Sequence, residues 1–270
     1  GSYDPEPAAT AKNVVVVGAG PAGLEAARVA AERGHSVTLY EKKGSVGGLL
    51  EFANNVKGPH ENLSVLRSYF ERQMEVLGVN VMLNTEATAD IIAEASPDIV
   101  IAATGGVRDT LGLSDTAGTK VVGIDDFMMA DIAEEVVIVG SNVQAIDAAM
   151  YLLAQGKHVQ VVTPNAASAI GAGHSFWVKT FTQPNMKALG VRFWPEATVT
   201  AVNDGSVTVK TATGIEQEIA CGTVVEALDC LPNDNLSTGL SCEVVTVGDA
   251  ARPFNIGEAI CSGNAAARAI

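Results

Sequence analysis

Two apolar runs that each end in glycine restrict what this chain can become. Val14 to Gly23 reads VVVVGAGPAG, and Val136 to Ala145 reads VVIVGSNVQA. Four β-branched residues in a row suit a strand buried on both faces of a parallel sheet. The glycine allows a tight turn, and the alanine-rich segment behind it reads as a helix.

The first turn is complete. Gly18, Gly20 and Gly23 form G-x-G-x-x-G. Gly18 permits the turn, Gly20 leaves bare backbone that a pyrophosphate can approach, and Gly23 lets helix and strand pack closely. Pro21 falls in the first helical turn, where its missing N–H costs nothing. The helix runs through LEAARVAAER to Gly34, a good stop residue. Its N-terminus offers N–H groups and a positive dipole end to a diphosphate. A strand from Ser36 to Tyr40 then ends at Glu41, 23 positions after Gly18. That is near the usual place for an acid that accepts from a ribose diol and repels a 2′-phosphate. The plainer alternative is an ordinary glycine-rich βαβ turn.

The second turn keeps only Gly140. Asn142 and Ala145 stand at the next two glycine positions. Asn tolerates left-handed backbone angles, but its side chain projects where a diphosphate needs clear backbone. A helix AIDAAMYLLAQ, a stop at Gly156 and a strand HVQVV follow, and the residue after that strand is Thr163. It is neither the acid that selects NAD nor an arginine that accommodates NADP, and Lys157 precedes the strand. The fold is legible here, while nicotinamide nucleotide binding stays open.

The pattern predicts an α/β protein with two Rossmann-like dinucleotide-binding domains, the second inserted in the first. Residues 1–10 read as a tag scar and linker, 11–110 with 242–270 as one domain, and 111–241 as the other. Within the first, residues 60–78 read as a helix with Leu63, Leu66, Phe70, Met74 and Leu77 on its apolar face. Arg67 and Arg72 read as solvated. VNVML and DIVIAAT are further strands, and residues 198–228 read as a β-meander turning at Asp204-Gly205 and Thr213-Gly214.

Hydrophobic residues make up 47% of the 270 and charged residues 18%, which suits a packed core. The net charge of −14 disfavours nucleic acid as a partner. No apolar run approaches the roughly 20 residues of a membrane span. The four cysteines, Cys221, Cys230, Cys242 and Cys261, are widely spaced, which suits reduced, buried cytosolic thiols and no metal site. His35 and His158 occupy equivalent helix-to-strand turns, where solvent exposure explains both. His60 completes the histidines with His174, which reads as a surface or packing residue. Met128, Met129 and Trp177 read as core or interface. No Ser-His-Asp set stands out, so no catalytic residue is assigned.

Beyond Glu41 the chain continues EKKGSVGGLLEFA, with a second glycine pair, Gly47-Gly48. With GAGPAGLEAA, KGPHENLSVLRSYFERQMEVLGVNVMLNTEAT, DIVIAATGG and VVTVGDAARPFNIGEAICSGNAAARAI, it resembles the C-terminal half of the 2,4-dienoyl-CoA reductase, trimethylamine dehydrogenase and enoate reductase group. The resemblance implies FAD as the bound molecule, with ADP in its place in the trimethylamine dehydrogenase branch. It implies that Ala22 meets the diphosphate, that Glu41, beside Lys42, meets the ribose, and that Leu49 lies along the cofactor. Ala87 would offer backbone to the adenine, Thr104-Gly105 would close a loop over the cofactor, and Gly248-Asp249 would approach the ribityl chain. Asp249 or a neighbour also suits a helix N-cap. Gly140 and Asn142 would line the NAD(P)H-type half.

The resemblance further implies an N-terminal barrel carrying FMN, a 4Fe–4S cluster and the substrate pocket. The implied activity is electron transfer from NAD(P)H through FAD to that barrel, for reduction of an enoate or enoyl substrate. The competing reading is a non-catalytic ADP- or FAD-binding module with a vestigial nicotinamide site. A stand-alone flavin monooxygenase or amine oxidase fits the first motif but not the inserted second fold.

Overall fold

In the computed structural model, residues 4–58, 62–173, 176–233, 235–236 and 240–270 are described. His60 and His174 lie outside them, as does the side chain of Trp177. The chain divides into two compact units, Gly1–Val107 with Cys230–Ile270, and Arg108–Asp229.

In the first unit β1 (Asn13–Val17) leads into α1 (Pro21–Glu32) and β2 (Ser36–Tyr40). Then come α2 (Leu50–Lys57), α3 (Leu63–Val76), β3 (Asn80–Met82), α4 (Ala89–Glu94) and β4 (Ile99–Ala102). The sheet runs in the order Glu243–Thr246, β4, β1, β2, β3, with every pairing parallel. The strand period of two explains why β1 has no polar face. Val14 and Val16 pack with Leu24, Ala27, Phe70 and Met74 from α1 and α3. Val15 and Val17 pack on the other face with Ile92 of α4 and Val100. Of the helix expected over 60–78, α3 supplies Leu63–Val76 and buries Phe70 and Met74.

The second unit repeats the plan. Its strands run Lys120–Gly123, Thr223–Glu226, Glu135–Val139, His158–Val162, Arg192–Trp194, again all parallel. Its turn leads into α5 (Val143–Ala154), and α6 (Phe176–Ala188) precedes the edge strand. The expected meander is three strands long, Ala197–Asn203, Ser206–Thr211 and Glu216–Ala220. Its fourth run, Thr223–Glu226, leaves it and becomes an interior strand of the parallel sheet. There Thr223, Val224 and Val225 are all buried between two parallel neighbours, whereas a meander strand buries alternate residues.

Residues 230–241 fall with the first unit, ahead of the boundary expected at 242. Leu236, Leu240 and Cys242 pack against the Val15–Val100 face, and Asn233 donates its N–H to the Ala250 carbonyl at 3.0 Å. Those contacts place residues 230–241 with the first unit.

Candidate nucleotide-binding site

At the C-terminal end of β1, Gly18 has φ +101°, and a Cβ there would stand 2.3 Å from the Ala103 carbonyl oxygen. A Cβ on Gly23 would stand 1.9 Å from the Gly18 carbonyl oxygen. These two glycines are required by the protein's own packing. Gly20 is different. Its φ of −76° is available to any residue, and a Cβ on it would meet no protein atom within 4 Å. Gly20 precedes Pro21 at the head of α1 and gives the helix no side-chain cap. The first-turn N–H groups of α1 have no intrahelical acceptor.

Glu41 is buried, and both carboxylate oxygens are engaged. Oε2 accepts from the Ala19 N–H at 2.8 Å and Oε1 from the Lys43 N–H at 2.8 Å. The acid thus fastens the glycine turn to the end of β2, a role the spacing alone did not suggest. Each oxygen keeps acceptor capacity for a second donor. Lys42 is exposed.

The glycine pair returns to the same turn. Gly47 donates its N–H to the Ala19 carbonyl at 2.8 Å, and a Cβ on Gly48 would lie 3.0 Å from the Gly20 Cα. Leu49, half-buried, starts α2. On the far side, Thr104 Oγ1 donates to the Asn233 carbonyl at 3.1 Å, and Gly105 has φ +76° with open space before it. Gly248 lies over Ala22, whose Cβ would be 2.7 Å from one added there, and Gly263 packs on the Ala22 carbonyl. The Ala22 side chain is therefore a packing contact, and its backbone alone faces the turn. Asp249 accepts from the Phe254 N–H at 3.3 Å. The helix α7 (Ile256–Ala269) is capped instead by Asn255, whose Oδ1 accepts from the Glu258 N–H at 2.9 Å.

So the first turn, Glu41, Gly47-Gly48, Thr104-Gly105 and Gly248-Asp249 are brought together past the C-terminal ends of parallel strands, where such sheets bind ligands. Ala87 joins them only indirectly. It packs with Tyr40 in the cluster around Val15. Sequence reasoning missed Asn233, Ala103 and Gly263. Each acts through a contact between distant segments, which the stretches holding Ala103 and Gly263 do not reveal by themselves.

The second turn differs in its interior. Gly140 has φ +144°, and a Cβ there would stand 2.1 Å from the Ala227 carbonyl oxygen. Asn142 is extended, with φ −72° and ψ −179°, so the left-handed tolerance expected of it is not used. Its side chain instead caps α5. Oδ1 accepts from the Ala145 N–H at 3.0 Å, and Nδ2 donates to the carbonyls of Ala227 and Leu228, each at 3.1 Å. The segment 171–173 also lies on this turn. Gly171 donates to the Ser141 carbonyl at 2.6 Å, Ala172 bridges Asn142, and a Cβ on Gly173 would be 2.8 Å from Val143 Cγ2. Thr163, at the position of the selecting acid, is fully buried. Arg108 is already held by Asp125 at 2.9 and 3.0 Å.

The histidine expectation holds for one of two. His158 is exposed, and its hydrogen bond to Glu135 at 2.7 Å raises its pKa. His35 is only 6% exposed, and burial, reinforced by Arg33 and Lys12, lowers its pKa. Its Nδ1 accepts the Lys12 N–H at 3.0 Å, which ties the strand entry to the α1–β2 turn. The expectation of buried thiols holds for Cys221, whose pKa burial pushes up to about 11, but Cys261 is exposed on α7. Met129 is 86% exposed and so not core, while its neighbour Phe127 is fully buried. Among the described residues no group of three or more His, Cys, Asp or Glu could hold a metal, and no helix is long and apolar enough to cross a membrane.

Two parallel-sheet units, each with a glycine turn between a buried strand and a helix, together with the family profile define the class as Rossmann-type FAD/NAD(P) oxidoreductase domains. The pyridine nucleotide-disulphide oxidoreductase family profile matches residues 12–249, and the chain belongs to that family. It is 39% identical over 157 residues to an NADH oxidase of Thermoanaerobacter brockii, covering 56% of this chain and 24% of that protein. It is 38% identical over 153 residues to a cinnamate reductase of Clostridium sporogenes, covering 56% and 23%. The solved structure of a 2-naphthoyl-CoA reductase complex superposes with a TM-score of 0.88 at 33% identity, covering 99% of this chain and 41% of that one. These relatives belong to the enoate reductase-like group that the motifs resemble. The matched stretch spans about a quarter of each curated relative.

Proposed function

We propose that this chain is the nucleotide-binding part of a larger flavin-dependent oxidoreductase, holding FAD across the first turn. The observation that carries the reading is Gly20. It is the one glycine of the motif that the protein's own atoms do not require, and the space before it suits a group that must touch bare backbone. In this reading the N–H groups at Gly20, Ala22 and Gly23 and the head of α1, beginning with Pro21, meet the diphosphate. Glu41 accepts from the ribose with its remaining lone pairs, beside Lys42. Gly47-Gly48 and Leu49 flank the cofactor, Ala87 lies toward the adenine, Thr104-Gly105 close a loop over the cofactor, and Gly248-Asp249 lie toward the ribityl chain. When bound, the flavin supplies hydride acceptance and one-electron release, while the chain supplies alignment and electrostatics.

The rest of the enzyme would be an N-terminal barrel with FMN, a 4Fe–4S cluster and the pocket for an enoate or enoyl substrate. Two relatives support that class by their names, cinnamate reductase and 2-naphthoyl-CoA reductase. The test is the ultraviolet–visible spectrum of the purified chain with and without NADH or NADPH. A stoichiometric yellow chromophore bleached by either nucleotide supports the reading. A colourless chain that binds no adenine nucleotide overturns it.

A second reading is favoured by Asn142. Because its side chain occupies the cap of α5, the second unit would be a vestigial NAD(P)H half of a non-catalytic ADP- or FAD-binding module. Bound ADP with no flavin, or flavin that neither nucleotide bleaches, supports this alternative.

A further inference from the structure

A diphosphate brings about two negative charges into a chain whose own net charge is −14 and whose first turn already holds the Glu41 carboxylate. The head of α1 offsets roughly half a charge. A nearby cation would offset the remainder, and the lysine that follows Glu41, Lys42, is exposed.

Arg67 of α3 is placed differently. Its stem lies on Gly47, where an added Cβ would stand 3.3 Å from Arg67 Cδ, 3.4 Å from Cγ and 3.7 Å from Nε. Gly47 is the residue whose N–H is bonded to Ala19, and its neighbour Gly48 abuts Gly20. The arginine therefore rides on the loop that borders the open space. Its stem is held, with the side chain 30% exposed, while its head is only partly satisfied. Nε donates to Glu71 at 3.0 Å, and Nη1 is 3.9 Å from Glu51, too long for a hydrogen bond. Among the described residues neither terminal nitrogen has a hydrogen-bond acceptor. A bulkier residue at Gly47 would displace this side chain, which gives that glycine a purpose beyond its φ of +115°.

We propose that Arg67 is the cation that recognises the diphosphate over Gly20. The inference rests on the reading that the first turn takes an adenine dinucleotide or ADP. Arg67 favours nucleotides by their phosphates, not their base. Its guanidinium exchanges the loose approach to Glu51 for a charge-assisted bond to phosphate oxygen.

The test is calorimetric titration of the nucleotide-stripped chain with ADP and with adenosine, at low and high salt. The proteins are the wild type, Arg67→Ala, Arg67→Lys and, as a control, Arg72→Ala, whose partner is Glu75 on the same helix. Arg67→Ala is expected to weaken ADP about tenfold, leave adenosine unchanged and reduce the salt dependence. Arg67→Lys should recover part of the loss, and Arg72→Ala should behave as wild type. Unchanged ADP affinity in Arg67→Ala overturns the inference alone, as does an equal loss of ADP and adenosine, which would mark a packing role. Wild-type chain that binds neither FAD nor ADP overturns the underlying reading and the inference with it. If Arg67→Ala does not fold, Arg67→Gln keeps the stem on Gly47 and carries the same readout.

Discussion

The Glu41 carboxylate and the Ala19 backbone N–H meet at 2.8 Å, which joins the end of β2 to the middle of the glycine turn. A residue read as a ligand contact thus also shapes the site before any ligand arrives. Glu41→Gln turns one acceptor into a donor facing a backbone N–H. It should cost roughly 1–3 kcal/mol in urea unfolding and weaken ADP binding as well. Wild-type stability in this variant would show that the carboxylate does not organise the turn.

The three glycines of the first turn should separate by assay. Gly23→Ala places a Cβ 1.9 Å from the Gly18 carbonyl oxygen. It should destabilise the fold by roughly 3 kcal/mol or more. Gly20→Ala meets nothing, so its stability should stay within about 1 kcal/mol of wild type while nucleotide binding falls. Thermal melts with and without ADP read both effects. A Gly20→Ala chain that ADP still stabilises fully would remove the main support for the site.

Asn142 poses the reverse question. Asn142→Ala should lose about 1–2 kcal/mol through the missing cap. Asn142→Gly releases the Ala145 N–H and should tighten NADH or NADPH if the cap is the obstruction, as read by quenching of nicotinamide fluorescence. Unchanged affinity would assign the closure to Gly171–Gly173, which also lie on this turn.

His35 predicts an acid limb to stability. Its folded pKa lies below the ordinary 6.5, so the unfolded chain binds the proton first as pH falls. The stabilisation is complete above about pH 6.5 and declines as pH drops from there toward the lowered folded value. Unfolding curves at pH 5 and pH 8 should differ less for His35→Gln than for wild type. An equal difference in both would exclude His35 as the titrating group.

Thiol labelling should follow burial. Cys221, with its pKa at about 11, is buried and donates to the Thr223 carbonyl at 3.1 Å. At pH 8 its thiol stays almost wholly protonated, so a disulfide reagent should modify the exposed Cys261 first and Cys221 only on unfolding. Early loss of the Cys221 thiol would contradict the packing of the second unit.

Much of the fold was already written in local pattern. Val14–Val17 and Val136–Val139 announce interior strands because four β-branched residues leave no face for water. Gly18 and Gly34 announce their turns because only glycine takes those backbone angles without strain. The short helix α2 and the two-sided burial of Thr223–Glu226 left no such mark, since their burial depends on segments far away in sequence. Asn142 was legible as a departure, but not as a helix cap, because its partners include the Ala227 and Leu228 carbonyls.

By itself, the order of residues determined that two parallel-sheet units would form and where the first glycine turn would fall. Local backbone sterics and hydrophobic period are sufficient for that. The tertiary structure alone decided which turn stays open. Gly20 keeps open space because the distant segment that reaches it, Gly47-Gly48, has no side chain, and Asn142 is occupied because residues 171–173 and 227–229 lie on it. Proximity between remote parts of a chain is set by packing, and no local pattern encodes it.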